Sequence, residues 1–283
     1  LDKDIARGLS VKSVRVVDIR DVDAYAAKHI PGAVSAPYDE WRGPSSNPGE
    51  LPDLALLAPL VRRLGLHPAV HAVVVSSGED VSDFGAAARV YWSLKVLGLT
   101  ELSILNGGLE AWEAARLPQG AAPVAVQAST FVPTLDRSLI ASRDDVRALI
   151  ASKQARLVDA RPADFFRGHQ RHPVAVVPGT LRGAVNLEHS RWFAPGSATM
   201  VPADQARSVA AMLPGGPDRP TVSFCNTGHW AATNWFALSE LAGQKNVKLY
   251  AGSMTEWSQD PNGLPMANVP GRFSQLMIDA KMW

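Results

Sequence analysis

The sequence predicts an α/β protein made of two similar modules, each a parallel β-sheet covered by helices on both faces. Three observations predict this class. Landmark sequences occur twice at a nearly constant spacing, and short apolar runs alternate with helical patterns. The 283 residues also suffice for two domains of ordinary size.

The repeat is visible in three pairs of landmarks. VVDIR at 16–20 is matched by LVDAR at 157–161, GAV at 32–34 by GAV at 183–185, and NGG at 106–108 by AGS at 251–253. Asp18 and Asp159 are 141 positions apart, whereas Gly107 and Gly252 are 145 apart. A nearly constant offset along the chain indicates duplication of one module.

Each half alternates strands with helices. In the second half we predict strands at 156–160, 221–224 and 247–250 and helices at 203–213 and 230–241. Strand, helix and strand in short succession are typical of a parallel sheet. A stretch rich in Ala, Gln and Pro at 118–133 separates the halves. The predicted division is an N-terminal domain at 1–123, a linker at 124–133 and a C-terminal domain at 134–283.

The chain has one cysteine, Cys225, in the segment TVSFCNTGHW at 221–230. An apolar strand ends there, a loop with Gly228 follows and a helix begins, so Cys225 is expected at the edge of the sheet where α/β proteins bind ligands. Loop N–H groups and a helix N-terminus bind anions and favour a thiolate over a thiol. Cys225 is therefore predicted to be a nucleophile, the alternative being a buried structural cysteine.

Composition excludes several classes of partner and site. Lys and Arg number 28 against 27 for Asp and Glu, so no nucleic-acid or membrane-surface partner is expected. No apolar run approaches the ~20 residues that span a bilayer. A single cysteine leaves no internal disulfide. Two pairs of histidines, His67 with His71 and His169 with His172, have no third ligand at a recognisable spacing, so no metal site is predicted.

The repeated pattern VVDIR…HIPGAV…NGGLEAW and LVDAR…LRGAVN…AGSMTEW, with a cysteine loop in the second copy, resembles the tandem-domain rhodaneses. The resemblance spans nearly the whole chain and implies two rhodanese-like domains of which the C-terminal one is active. Aligning 73–77 with 221–225 places Ser77 opposite Cys225. A serine without an adjacent base is a poor nucleophile, which agrees with an inactive N-terminal domain.

The resemblance implies a double displacement. Cys225 takes the outer sulfur of an anionic donor such as thiosulfate, and the resulting persulfide passes that sulfur to cyanide or to a thiol, including a protein thiol. No metal or organic cofactor is required. The resemblance also implies that Arg182 holds the anionic end of the donor, since a guanidinium binds such groups by two parallel hydrogen bonds. The alternative for Arg182 is a solvated surface arginine.

The residues after the cysteine leave the donor open. Thiosulfate-type loops resemble Cys-Arg-Lys-Gly and mercaptopyruvate-type loops resemble Cys-Gly-Ser-Gly, whereas this chain has Cys225-Asn226-Thr227-Gly228. Thr227 supplies a hydroxyl, as the mercaptopyruvate type does with serine. His229 and Trp230 are bulky and would narrow the site. His229 either orients or protonates the donor or donates a hydrogen bond at the rim. Asp159 is expected to be structural, with Arg161 as its partner.

The primary prediction is a thiosulfate sulfurtransferase whose donor-binding residues are Arg182, Asn226, Thr227, Gly228, His229 and Trp230. The alternatives are a 3-mercaptopyruvate sulfurtransferase and a non-catalytic persulfide carrier that binds a partner protein. Phosphatase chemistry of the Cys-x5-Arg type is excluded because residue 231 is alanine. The location is open between the periplasm and the cytoplasm, and the periplasm is favoured if a signal peptide was removed before Leu1.

Overall fold

Two four-stranded parallel sheets form the framework of the chain in a computed structural model that describes residues 14–281. The first 13 residues of the predicted domain 1–123 and the last two of the predicted domain 134–283 lie outside the described residues. The chain divides into two compact units. Unit 1 comprises the described part of Leu1–Arg42, then Leu51–Asp136 and Phe193–Met200. Unit 2 comprises Gly43–Glu50, Arg137–Trp192 and the described part of Val201–Trp283.

Unit 1 contains the first four strands and the first four α-helices. The strands are β1 (Val14–Asp18), β2 (Val34–Ser35), β3 (His71–Val75) and β4 (Leu102–Ile104). The helices are α1 (Val22–Ala27), α2 (Leu54–Arg63), α3 (Val81–Val96) and α4 (Gly108–Ala114), with a 3-10 helix at Tyr38–Trp41. The sheet has the order β2-β1-β3-β4, and all its strands are parallel.

Unit 2 repeats this arrangement and extends it. Its strands are β5 (Arg156–Asp159), β6 (Thr180–Leu181), β7 (Val185–Asn186), β8 (Thr221–Phe224), β9 (Val247–Leu249) and β10 (Met266–Ala267). Its α-helices are α5 (Arg143–Ser152), α6 (Ala163–Phe166), α7 (Ala203–Ala210), α8 (His229–Phe236), α9 (Ser253–Ser258) and α10 (Arg272–Ala280). Two 3-10 helices lie at Arg137–Leu139 and His189–Trp192, and a π-helix lies at Ala237–Leu241. The sheet order is β7-β5-β8-β9, again all parallel, and β6 pairs with β10 as an antiparallel ribbon.

Both faces of each sheet are buried by helices. In unit 1, Ala72 and Val74 pack beneath α2 and α3, while Val73 and Val75 pack on the other face with Leu109 and Trp112 of α4. Successive side chains of a strand point to opposite faces, so a strand covered on both sides is a continuous apolar run. In unit 2, Phe224 packs with Trp257 of α9 on one face, and the Ser223 hydroxyl donates to the Ala231 carbonyl of α8 on the other. The predicted α/β class with two helix-covered parallel sheets is confirmed.

The second-half elements differ from their predicted bounds at the C-terminal ends. Strand 221–224 is confirmed, whereas those predicted at 156–160 and 247–250 end one residue earlier. The helix predicted at 203–213 ends at Ala210, because Met212 and Leu213 donate to carbonyls three residues back as the chain tightens before Pro214. The helix predicted at 230–241 begins at His229 and becomes π-helical after Phe236, where the Ala242 N–H donates to the Ala237 carbonyl. The division at 1–123, 124–133 and 134–283 stays a prediction.

Candidate active site

Cys225 follows directly after the last residue of β8, a central strand of the unit 2 sheet. The β5–β8 register pairs Asp159 with Phe224, so Cys225 emerges at the carboxyl edge of both strands. Parallel sheets bind ligands at this edge, because the loops that follow the strands meet there. The thiol is free, and the residue is 1% exposed. The strand–loop–helix setting predicted for this cysteine is confirmed.

The backbone around Cys225 is held by the turn that begins α9. The Cys225 N–H donates to the Ser253 hydroxyl oxygen at 3.0 Å, and that hydroxyl donates to the Tyr250 carbonyl at 2.8 Å. The carbonyls of Cys225 and Asn226 accept from the N–H groups of Met254 and Thr255 at 3.0 and 3.1 Å. Three consecutive loop-to-turn hydrogen bonds therefore hold the backbone that carries the thiol.

Asn226 is tied to a buried ion pair beneath the loop. The Arg161 guanidinium contacts the Asp159 carboxylate at 2.6 Å, and both side chains are almost fully buried. The same guanidinium donates to Asn226 Oδ1 at 3.3 Å, while the Thr180 hydroxyl donates to Asp159 at 2.7 Å. Buried charges need such complete pairing. The predicted partnership of Asp159 and Arg161 is confirmed, and the pair also orients Asn226, the residue after Cys225.

The loop ends in an aromatic cluster at the start of α8. Gly228 caps the helix at a φ of 70°, a left-handed conformation that glycine adopts without steric cost. His229 and Trp230 follow, both half-buried. The Trp230 ring stacks on His189 with centroids 4.6 Å apart and meets the edge of Phe165 at 6.1 Å. Trp230 is thus a packed element of this cluster, with a defined ring orientation.

Thr227 and Arg182 differ in burial. Thr227 is 8% exposed, and its neighbour Asn226 is 4% exposed. Arg182 is exposed and follows β6, two residues after Thr180, and its N–H donates to the Pro265 carbonyl at 3.4 Å. A chain of hydrogen bonds connects β6 to the loop at 225–228, which we call the cysteine loop. It runs from Thr180 through Asp159 and Arg161 to Asn226. The role of Arg182 in binding a donor stays a prediction.

The structural counterpart of Cys225 in unit 1 is Ser76, and the assignment to Ser77 is wrong by one residue. Asp18 pairs with Val75 and Asp159 with Phe224, so Ser76 and Cys225 are the residues that follow equivalent strand positions. The turn hydrogen bonds agree: Leu109 donates to Ser76 as Met254 does to Cys225. The apolar residues of the two strands align equally well in two registers that differ by one residue, and only the pairing of the strands in the structure distinguishes these registers.

Sequence reasoning did not identify three residues that shape this site: Ser253, His189 and Phe165. Ser253 has a φ of 53°, which is unusual for a residue with a side chain, and Gly108 holds the equivalent position in unit 1 at 57°. A serine that replaces the second glycine of the repeated NGG landmark was the available signal. His189 and Phe165 are distant along the chain, and nothing in their own surroundings pointed to Trp230.

Three further properties concern the pKa of Tyr250, metal binding and membrane-spanning helices. Burial, followed by the nearby Glu256 carboxylate, raises the pKa of Tyr250, so its phenol stays neutral. Within residues 14–281, no group of three or more His, Cys, Asp or Glu side chains is arranged to hold a metal ion. No described helix is both long and apolar enough to cross a membrane.

The chain is similar to known proteins and structures along most of its length. The rhodanese-like domain model matches it twice, at residues 2–115 and 142–260. Thiosulfate sulfurtransferase of Bos taurus is 32% identical over 237 residues, covering 82% of this chain and 78% of that protein. Thiosulfate sulfurtransferase of Pseudomonas aeruginosa is 31% identical over 261 residues, covering 92% and 93%. The crystal structure of SseA from Escherichia coli, described as a 3-mercaptopyruvate sulfotransferase, aligns with a TM-score of 0.77 and 25% identity over 89% of this chain and 96% of that one. With two matched domains and relatives above 30% identity along most of its length, this chain belongs to the rhodanese family of sulfurtransferases.

Proposed function

We propose that this protein is a thiosulfate sulfurtransferase in which Cys225 carries the transferred sulfur. The observation that supports this most directly is the placement of the single cysteine at the carboxyl edge of β8, in a loop held by Ser253, Met254 and Thr255. A nucleophile on a fixed loop keeps its geometry through both half-reactions. The names of the Bos taurus and Pseudomonas aeruginosa relatives support thiosulfate as the donor.

The reaction proceeds by two displacements at sulfur. The Cys225 thiolate attacks the outer sulfur of thiosulfate, a new S–S bond forms, the original S–S bond breaks and sulfite leaves with its electron pair. Cyanide then attacks the terminal sulfur of the persulfide, forming a C–S bond and returning the electron pair to Cys225. The sum is thiosulfate plus cyanide giving sulfite plus thiocyanate. No proton, oxidant or metal is consumed.

Six residues are proposed to bind the donor. Asn226 and Thr227, the two residues after the cysteine, carry no charge. The anionic end of the donor is therefore assigned to the Arg182 guanidinium. The backbone of the Asn226–Gly228 segment surrounds the sulfur, and the Thr227 hydroxyl donates to the donor. His229 and Trp230 border the site at the start of α8 and limit the size of the group attached to the donor sulfur.

Intact-mass spectrometry of the protein after incubation with thiosulfate tests the nucleophile. We expect the wild type to gain one sulfur atom, to lose it on adding cyanide, and Cys225→Ser to gain none. Cys225→Ser is a matched control, since it replaces sulfur by oxygen without changing the side-chain shape. Sulfur loading in Cys225→Ser would contradict the assignment.

A 3-mercaptopyruvate donor is the second candidate, favoured by Thr227 and by the likeness to SseA. Here too Cys225 takes the sulfur: a new S–S bond forms, the C–S bond of the donor breaks, and the leaving enolate takes up the proton of the donor thiol to become pyruvate. Comparing kcat/KM for the two donors, with the same acceptor, separates the candidates. A higher value for mercaptopyruvate would make mercaptopyruvate the proposed donor in place of thiosulfate.

A persulfide carrier is the remaining alternative. It would load sulfur on Cys225 and show negligible turnover with small acceptors, but it would transfer the sulfur rapidly to a protein thiol.

A further inference from the structure

An eight-residue segment from the first half of the sequence belongs to unit 2. This segment, Gly43–Glu50, follows the 3-10 helix that ends at Trp41, and we call it the arm. It is folded on itself: the Asn47 N–H donates to the Pro44 carbonyl at 2.9 Å, and Glu50 donates to the Asn47 carbonyl at 3.0 Å. A segment with its own turns moves as one piece, so a contact at one end restrains the whole arm.

The arm meets the cysteine loop at Gly49, which is buried. A β-carbon placed on Gly49 would lie 2.2 Å from the Ala251 carbonyl oxygen and 2.8 and 3.0 Å from the backbone C and Cα of Thr227. These neighbours are backbone atoms, which cannot rotate aside as a side chain can. Glycine is required at this position by space, because the two backbones approach too closely for any side chain.

The two residues that Gly49 contacts are both close to the support of Cys225. Thr227 lies two residues after the nucleophile. Ala251 lies between Tyr250, whose carbonyl accepts from the Ser253 hydroxyl, and Gly252. Ser253 in turn accepts from the Cys225 N–H. A displacement at Gly49 therefore reaches Cys225 along the loop and through the turn.

A separate side-chain hydrogen bond, from Gln259, holds the exposed end of the arm at Ser46. The Gln259 side-chain amide donates to the Ser46 carbonyl at 3.1 Å and to the Val174 carbonyl at 3.0 Å. Replacing Gln259 by alanine removes this hydrogen bond and places no new atom against the cysteine loop. The arm is then held less firmly, but Thr227 and Ala251 are not displaced, so the two ends of the arm can be tested separately.

Unit 1 contains an equivalent segment in the equivalent place. Phe193–Met200 follows the 3-10 helix that ends at Trp192, just as the arm follows Trp41. Asn106, which corresponds to Ala251 in the repeat, bonds through its side chain to the Met200 N–H at 2.8 Å and to the Met200 carbonyl at 3.3 Å. Each unit thus has a segment packed on the turn beside its central strand. In unit 2 the contact is a close backbone approach at Gly49.

We propose that the arm is a structural part of the sulfur-transfer site and that Gly49 is a positioning residue, which sets the place of the Cys225 loop through Thr227 and Ala251. The expected effect of Gly49 on turnover rests on the proposed function. The expected effect on the reactivity of the Cys225 thiol does not, since alkylation of Cys225 requires no donor. The role of Gly49 and the proposed function can therefore be contradicted separately.

The experiment compares Gly49→Ala with Gly271→Ala. A β-carbon on Gly271, also in unit 2, meets nothing within 4 Å, so the second variant is a matched control for glycine replacement. We expect Gly49→Ala to lower kcat for sulfur transfer by about tenfold or more, because small displacements of a nucleophile cost rate, and to change KM less. The rate of Cys225 alkylation by iodoacetamide, without donor, should change several-fold. Gly271→Ala should match the wild type in both.

Gln259→Ala supplies a second, milder variant. It should change the alkylation rate by less than Gly49→Ala does, because it loosens the arm without displacing the loop, while keeping the wild-type unfolding temperature. Wild-type turnover and alkylation in a folded Gly49→Ala would overturn the proposal. If Gly49→Ala does not fold, an unchanged alkylation rate in Gln259→Ala would overturn it. Absence of persulfide in the wild type would count against the proposed function, and the alkylation comparison would still decide the role of the arm.

Discussion

The Ser253 hydroxyl oxygen lies 3.0 Å from the backbone nitrogen of Cys225 and accepts its hydrogen bond. Ser253 reaches this place with a φ of 53°, in the left-handed region. Such a conformation costs a residue with a β-carbon roughly 1–2 kcal/mol. The unit 1 counterpart, Gly108, has the same conformation and no hydroxyl. Unit 2 thus keeps a strained serine where its hydroxyl accepts a hydrogen bond from the Cys225 backbone.

Replacing Ser253 by alanine or by glycine separates strain from the hydrogen bond. Both variants leave the buried Cys225 N–H without its partner, which costs about 1–3 kcal/mol. Only glycine also relieves the strain, so we expect Ser253→Gly to be about 1 kcal/mol more stable than Ser253→Ala. Both should lose sulfur-transfer rate. Urea unfolding and kcat measure the two effects. Equal stability of the variants would contradict the strain, and wild-type kcat in both would contradict the role of the hydroxyl.

Arg182→Ala should weaken use of an anionic donor. Hydrogen bonds to a charged group contribute about 1.5–3 kcal/mol, so we expect kcat/KM for thiosulfate to fall about 10- to 100-fold, chiefly through KM. Arg182→Lys keeps the charge but cannot form two parallel hydrogen bonds. Its kcat/KM for thiosulfate should therefore lie between the values for the wild type and Arg182→Ala. Arg207→Ala, which removes an exposed arginine from α7, controls for loss of one positive charge. A donor dependence equal to that of the control would place Arg182 on the surface without a role.

Asn226→Asp tests the electrostatics next to the nucleophile. The variant keeps the shape of the side chain and its acceptor toward Arg161, so stability should be retained. It also places a negative charge one residue from Cys225, where it repels both an anionic donor and the sulfur anion. We expect kcat/KM for thiosulfate to fall by about tenfold or more, further than in Asn226→Ala. A smaller loss in Asn226→Asp than in Asn226→Ala would contradict this account.

The start of α5 should make a small, pH-dependent contribution to stability. The Ser142 N–H donates to the Asp145 carboxylate and holds the pKa of that group below its ordinary value. A lowered folded-state pKa stabilises the fold above the unfolded-state pKa of about 3.9, and this contribution is lost as pH falls through the folded-state pKa.

Asp145→Asn should therefore reduce the free energy of unfolding at neutral pH by less than about 1 kcal/mol, since solvent screens the exposed carboxylate. The difference from wild type should shrink below about pH 4. Asp144→Asn removes the same charge from the same turn without breaking the Ser142 pair. Urea unfolding across this pH range measures the effect. A pH-independent difference, or an equal one in the control, would contradict the assignment.

Much of the framework was predictable from local patterns. Buried parallel strands are short apolar runs, so 221–224 was placed correctly and the duplicated landmarks revealed two modules. Cys225 was identifiable because a strand, a loop with glycine and a helix follow one another along the chain. Asp159 and Arg161 are two residues apart, so their pairing was also predictable. Strand ends and the π-helical turn were not, since hydrogen bonds with distant residues determine them.

The sequence by itself thus determined the fold class, the duplication and the place of Cys225 at the end of a strand, because each depends on neighbours along the chain. The tertiary structure alone decided which residues surround Cys225. Register between β1 and β3 placed Ser76, and not Ser77, opposite Cys225. Folding brought Ser253 to the Cys225 N–H, His189 to Trp230 and Gly49 to Thr227. These contacts join residues far apart in sequence, and their distances depend on how strands and turns pack, which no local pattern encodes.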